Sequence, residues 1–185
     1  MSAWYFETPR LYFREYKTSD INDYLRVVRQ QEVYATTYGI PKDYPKSRAK
    51  KWFKFIKNNI KTMQSFEFGM FLKENDQYIG NVGLINVSME HNHADISYFI
   101  DTGLKNQGFT TEAAVEMLSF GFEKLGFEKI SGRCMSINYA SRRIMEKIGM
   151  KFEGTLRENL LKDGVYYDMD HLSILKNEYF TDCKS

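Results

Sequence analysis

The segment Leu104–Ala113 reads LKNQGFTTEA, and its residue types suit an anion. Gly108 lets the backbone approach a ligand closely. The run that follows it is helical in pattern, and a helix N-terminus presents unpaired N–H groups at the positive end of its macrodipole. The combination reads either as an ordinary strand-to-helix turn or as a phosphate cradle with Lys105 as a mobile cation at the rim. Just upstream, HNHADISYFID supplies a carboxylate, Asp95, and two histidines, His91 and His93. That set lacks a fourth metal ligand, so it reads as a polar turn and no metal is expected. Asn138 and Ser141 open a later helical segment, where Asn caps well. Cys134 lies in a strand-like run with no obvious histidine partner, and reads as core rather than nucleophile.

The elements that must position these residues follow from hydrophobic spacing. RLYFREY alternates as a strand. Thr18–Asp20 offers an N-cap for a helix through Val28, and PKDYP breaks the chain. Ser47 caps a second helix, SRAKKWFKFIKNNIKTM. Lys50, Lys54, Lys57 and Lys61 share one of its faces, while Phe53, Ile56, Ile60 and Met63 share another. FEFGMFLKENDQYIGNVGLINV forms a hairpin turning at Lys73–Gln77. In the next strand Ala94, Ile96, Tyr98 and Ile100 share one face, opposite Asp95, Ser97 and Phe99. Beyond the loop, Ala113, Ala114, Met117, Leu118, Gly121 and Leu125 recur at helical spacing. KISGRCMSI is a strand, NYASRRIMEKIG a helix ending at Gly149, and Asp163–Gly164 the turn of a last hairpin. Antiparallel hairpins mixed with helical crossovers predict an α+β fold, a mixed, mostly antiparallel sheet of about seven strands flanked by helices.

Composition bounds the function. With 185 residues, 43% of them hydrophobic, the chain can bury one core, and a single domain over 1–185 is expected. A net charge of +2 argues against a nucleic-acid partner. Two cysteines, Cys134 and Cys183, make no disulfide framework, so a reducing, cytoplasmic setting is expected. No apolar run approaches the roughly 20 residues of a membrane helix, and no signal peptide is visible.

LKNQGFTTEA resembles the acetyl-CoA loop of the GCN5-related N-acetyltransferase (GNAT) family, whose pattern is Arg/Gln-x-x-Gly-x-Gly/Ala after the fourth strand. Lys105, Gly108 and Thr110 take its first, fourth and sixth places. ETPRLYFREY, INYASRRIMEKIGMKFEGTLRE and KDGVYYDMDHLSIL resemble further segments of the branch that acetylates ribosomal-protein N-termini, so the likeness runs over about residues 7–180. Two places depart from that pattern. Asn106 stands where the branch has Gly, and Asn tolerates a left-handed backbone best among the other residues, at a cost of about 1–2 kcal/mol. Thr110 replaces a small residue, and its hydroxyl either donates to a phosphate or crowds one.

The resemblance implies acetyl-CoA as cosubstrate and a sheet splayed between its fourth and fifth strands. It implies that the amides of Lys105, Asn106, Gln107, Gly108, Phe109, Thr110 and Thr111 hold the pyrophosphate. It further implies that the backbone at Phe99 and Ile100 pairs with pantetheine like an added strand. Asn138 would contact the pantetheine arm, and Arg143 would reach a CoA phosphate. Asp95 matches a frequent base position, and Ser141 a proposed proton donor to sulfur, with Tyr139 competing. Glu153 and Arg157 frame either the acceptor side or the sheet surface. The lysine stripe of the second helix, which borders the acceptor cleft in this family, is expected to attract an anionic acceptor. The acceptor is expected to be a peptide or protein N-terminal α-amine. A small amine such as a polyamine or aminoglycoside, or a non-catalytic CoA-binding module, is the alternative. The protein is expected as monomer or homodimer.

Overall fold

A computed structural model describes residues 4–182; Cys183 lies outside the described residues. The strands are β1 (Tyr5–Glu7), β2 (Leu11–Arg14), β3 (Phe66–Leu72), β4 (Tyr78–Ser88), β5 (His93–Ile100), β6 (Lys129–Met135), β7 (Lys151–Lys162) and β8 (Val165–Leu175). They form one sheet ordered β1-β2-β3-β4-β5-β6-β8-β7. The first, a short strand pairing Phe6 with Phe13, is the addition to the expected set. Among the described strands, only β5 and β6 run parallel.

The helices are α1 (Ile21–Val28), α2 (Gln31–Thr36), α3 (Lys46–Lys61), α4 (Phe109–Ser119), α5 (Tyr139–Lys147) and α6 (Lys176–Asp182). The sequence reading contains neither α2 nor α6, because 6 or 7 residues are too few to display a helical period. The second long helix starts one residue before Ser47. Extended Pro45 is its N-cap (φ −74°), and the pyrrolidine ring fixes that φ. On one sheet face Tyr24, Leu25, Val28 and Phe53 pack with Phe71 and Tyr78. On the other, Ala113, Ala114, Met117 and Leu118 pack with Leu84, Ala94, Ile96 and Ile130. The alternation read in β5 therefore holds, with Ala94 and Ile96 on the α4 side. Met63 falls beyond the end of α3 and is exposed.

The sheet opens where the site lies. β5 and β6 pair only from His93↔Lys129 to Ile96↔Gly132. Farther on, β5 stays with β4 as far as Gly80↔Ile100, and β6 stays with β8 as far as Met135↔Met169. A wedge therefore separates the ends of the two strands. Among the described residues, the β6-facing backbone edge of Ser97–Ile100 has no partner strand there.

Candidate active site

The loop after β5 is clamped from both ends. At its start, the buried Asp101 forms an ion pair with Arg26 and accepts Gln30 Nε2 at 2.9 Å and the Gly103 amide at 3.1 Å. Gln30 Oε1 in return accepts the Thr102 amide at 2.8 Å, so α1 and the junction that follows it fix the exit of β5. Burial pushes the Asp101 carboxyl up, but the donors Gln30, Arg26 and Gly103 outweigh it and hold the group below its ordinary range. At its far end, Arg10 donates to the Gln107 carbonyl at 2.9 Å and to Glu112 Oε2 at 2.7 Å, with its guanidinium 4.3 Å from the centre of the Phe109 ring.

Between the clamps the backbone turns left-handed twice, at Asn106 (φ +61°) and Gly108 (φ +82°). Asn106 thus takes the conformation that its residue type tolerates. Gly108 is the N-cap of α4, and the Glu112 amide, bonded to the Gly108 carbonyl at 3.0 Å, is the first to close the helix. The first-turn amides of Phe109, Thr110 and Thr111 have no intrahelical acceptor. A Cβ on Gly108 would lie 3.3 Å from Arg10 Nη2, a tight contact from which the arginine must shift slightly. Together with the open edge of β5, this arrangement fits a pyrophosphate followed by an extended pantetheine arm.

A cavity of about 580 Å³ runs through the wedge. On the loop side its wall includes Phe99, Ile100, Lys105, Asn106, Thr110, Asn138 and Ser141. Lys105 is not a free cation, since its ammonium pairs with Glu32. Gln107, Gly108, Phe109 and Thr111 lie outside the wall, on the outer turn and the first turn of α4, and Phe109 turns its ring into the core. Asn138 caps α5, its Oδ1 accepting the Ser141 amide at 3.1 Å, and its amide nitrogen donates to the Thr36 carbonyl at 3.4 Å. Ser141 Oγ lies 3.1 Å from the Tyr98 hydroxyl. Burial raises the Tyr98 phenol, so it stays protonated at neutral pH, its hydroxyl donating to the Ser141 carbonyl at 3.1 Å beside the Ser141 hydroxyl. Tyr139, the competing donor, is 75% exposed and outside the cavity wall. Arg143 is exposed on α5, and its neighbour Arg142 is bound to Glu146 at 3.0 Å and Asp170 at 2.8 Å. Burial pushes the Cys134 thiol up to about 11, which keeps it un-ionised and agrees with its reading as core.

Asp95 sits on the sheet face opposite α4 and stands outside the cavity wall. Its Oδ2 accepts Arg133 at 3.0 Å and Asn86 at 2.9 Å, so the carboxylate is committed to a cross-strand ion pair. Glu153 bonds Lys129 at 2.7 Å and Ser173 at 2.6 Å, and Arg157 is exposed, so both belong to the sheet surface. His91 and His93 stack with ring centres 6.1 Å apart; among the described residues no cluster of three or more metal-ligating side chains occurs.

The acceptor half of the cavity differs from the sequence reading. Lys50, Lys54, Lys57 and Lys61 are exposed and none lines it. The adjoining face of α3 does, through Arg48, Lys51, Trp52 and Phe55. These four fall between the two faces that hydrophobic spacing picks out. Tyr24, Tyr38 and Tyr44 complete an aromatic wall, and Glu67 of β3 lies at its depth. Glu67 escaped the sequence reading, although one acid in the apolar run FEFGMFL was a usable signal. Burial pushes its carboxyl up to about 7, against a hydrogen bond from Asn81 that lowers it.

Comparison with known proteins adds four likenesses. The family model described as an acetyltransferase (GNAT) domain matches residues 10–151. YoaA, an uncharacterized N-acetyltransferase of Bacillus subtilis, is 26% identical over 170 residues, which span 92% of this chain and 96% of YoaA. Among solved structures, the ribosomal L7/L12 α-N-protein acetyltransferase RimL, in complex with coenzyme A, has a TM-score of 0.86 at 12% identity, covering 93% of this chain and 98% of RimL. Spermidine N-acetyltransferase from Vibrio cholerae, in complex with CoA and spermine, has a TM-score of 0.82 at 19% identity, covering 94% of this chain and 99% of that one. At these identities the two structures share the fold.

Proposed function

The chain belongs to the GNAT family of acetyl-CoA-dependent N-acetyltransferases, and we propose that it acetylates the α-amine of a peptide or protein N-terminus that carries acidic residues nearby. The carrying observation is the through-sheet cavity, with the Ser141–Tyr98 pair toward the loop and an aromatic, cation-lined chamber beyond. A chain of direct transfer follows from it. The loop amides and Asn138 hold the donor, and the wedge aims the thioester past Phe99 into the chamber. Ser141, backed by Tyr98, hands a proton to the departing sulfur.

The charge lining the chamber supports the acceptor class. Of its two carboxylates, Glu32 is already paired with Lys105, while Arg48 and Lys51 have no ion pair among the described residues. A polyamine, with several positive charges, would face those two cations with one carboxyl to offset them. A single amine followed by acidic groups meets both signs in the right order. RimL, an α-N-protein acetyltransferase of the same fold, lends the same direction.

A turnover panel tests this reading. Peptides with acidic residues at their second and third positions, matched neutral peptides, and spermidine are each offered with acetyl-CoA, and free thiol is followed. The acidic peptides are expected to give the highest kcat/KM. A tenfold preference for spermidine would move the protein to the small-amine class.

A further inference from the structure

Resting on the acetyltransferase reading above, we propose that Glu67 is the general base that takes the proton from the acceptor ammonium. Asp95 then acts on Arg133 and not on the amine.

The sheet register puts Glu67 in place. Glu67, Gly83 and Ser97 are paired in one row across β3, β4 and β5, so they share the face opposite α4. The middle of that row has no side chain. A Cβ on Gly83 would meet the Phe66 carbonyl at 2.6 Å and Glu67 Cγ at 2.8 Å. The glycine lets the Glu67 side chain lie across β4 toward the β5 edge, where the thioester enters. The next row, Gly69, Asn81 and Phe99, supplies the orienting group. Asn81 Oδ1 is taken by the Tyr16 hydroxyl at 2.7 Å, which leaves the Asn81 amide nitrogen to donate to Glu67.

The surroundings suit a base that must work near neutrality. Tyr16, from the segment after β2, and Tyr24 of α1 face Glu67 and are kept protonated, chiefly by burial. Tyr78 of β4 bonds Tyr16 at 3.2 Å and is likewise kept protonated by burial. Arg48 and Lys51 of α3 line the same cavity, while Arg133 of β6 is occupied by Asp95. Among the described residues, Glu67 has no ion-pair partner, so nothing but Asn81 offsets its burial. A carboxyl brought to about 7 is well matched to an α-amine, whose ordinary pKa is roughly 8, and poorly matched to a lysine-like amine at roughly 10.4. Proton transfer is uphill by about tenfold in the first case and by more than about a thousandfold in the second.

The step balances as follows. Glu67 takes one proton from the ammonium, leaving a neutral amine. The C–N bond forms at the thioester carbonyl and the C–S bond breaks. Ser141 gives its hydroxyl proton to the sulfur and takes the remaining surplus proton from the new amide nitrogen. Glu67 releases its proton to water before the next turnover.

The test is Glu67→Gln, beside Glu67→Asp and Asp95→Asn, in the full chain with both substrates saturating from pH 5.5 to 9.5. Wild-type kcat is expected to fall on the acid side with an apparent pKa near 7. E67Q should lose about 100-fold or more at pH 7 and recover as hydroxide rises, while acetyl-CoA affinity by calorimetry stays unchanged. E67D should fall between the two, and D95N should keep the wild-type acid limb. A carboxyl infrared band that titrates near 7 in wild type and is missing in E67Q confirms the assignment without turnover. If E67Q keeps its rate within threefold and the same acid limb, or D95N alone loses that limb, the base is not Glu67. A wild-type protein that binds acetyl-CoA but acetylates no amine in the panel overturns the reading beneath it, and the base with it.

Discussion

Replacing Glu112 by Ala tests whether the loop after β5 is held in place by the turn between β1 and β2. Glu112 Oε1 accepts the Thr8 hydroxyl at 2.5 Å and the Arg10 amide at 3.0 Å, and Oε2 accepts Arg10 Nε at 2.7 Å. Arg10 passes this on to the Gln107 carbonyl at 2.9 Å. The Arg10 side chain is 47% exposed and that of Glu112 16%, so the pair lies between two regimes. An exposed ion pair contributes under about 1 kcal/mol, and breaking a buried one costs about 3–5 kcal/mol. E112A is therefore expected to cost about 2 kcal/mol, with a coupling of about 1 kcal/mol in a cycle with Arg10→Ala. For a chain of this length that is a fall in Tm of about 4–8 °C. With the loop untethered, acetyl-CoA binding must order it, and Kd is expected to rise about fivefold, or ~1 kcal/mol. The pH dependence has a definite sign. Burial pushes the Glu112 carboxyl up, but its bonds from Thr8 and Arg10 outweigh burial and hold it below its ordinary range. Such a group adds stability above the unfolded pKa of roughly 4.3, and this is lost as pH falls through the lower folded value. The gap between wild type and E112A in urea unfolding should be full at pH 7 and shrink on acidification. Asp101 and Asp170 are held low in the same way, so the cycle and not the raw acid curve isolates the pair. A coupling under about 0.3 kcal/mol, or a gap unchanged at about pH 3, would refute the tether.

Three further outcomes are expected. Gly108→Glu places a side chain at φ +82° and a negative charge on the cradle, so acetyl-CoA affinity by calorimetry should fall at least tenfold with only about 1–2 kcal/mol lost in stability. Ser141→Ala keeps the cap, because Asn138 binds the backbone amide of residue 141, and removes only the hydroxyl beside Tyr98. Its kcat should drop about 100-fold with acetyl-CoA Kd unchanged, and equal turnover would remove Ser141 from the mechanism. Asp170→Ala strips the acceptor that ties α5 to the last hairpin, since Asp170 receives Ser136 at 2.6 Å, Thr155 at 2.7 Å and Arg142 at 2.8 Å. With that side chain 3% exposed, unfolding should be easier by about 3 kcal/mol, and a loss under 1 kcal/mol by urea titration would contradict the account.

The parts of this protein that were legible in its sequence are those governed by neighbours in the chain. A left-handed turn is a property of one residue, so Gly108 and even the departure at Asn106 could be read locally. The Asp163–Gly164 turn, with φ +51° and +78°, is of the same kind. Seven of the eight described strands and the four longer helices follow from period and turn residues together, whereas α2, α6 and β1 are too short to show a period. The resemblance supplied the donor and the splayed sheet on the strength of several such local segments taken together.

What tertiary structure decided is which side chains meet across elements. Asp95 looked free in its strand, and parallel pairing with β6 brings Arg133 onto it. The lysines of α3 looked like an anion-steering stripe, yet burial of Phe53, Ile56 and Ile60 turns them to solvent and gives the cavity Arg48, Lys51, Trp52 and Phe55. Glu67 is unremarked in sequence because its environment comes from elsewhere. The space it lies across is Gly83's, the hydrogen bond is Asn81's, and the dry wall belongs to Tyr16 and Tyr24. Backbone conformation is a local free energy, so sequence determines it. Desolvation and charge pairing are sums over distant residues, and only the folded chain fixes which residues enter the sum.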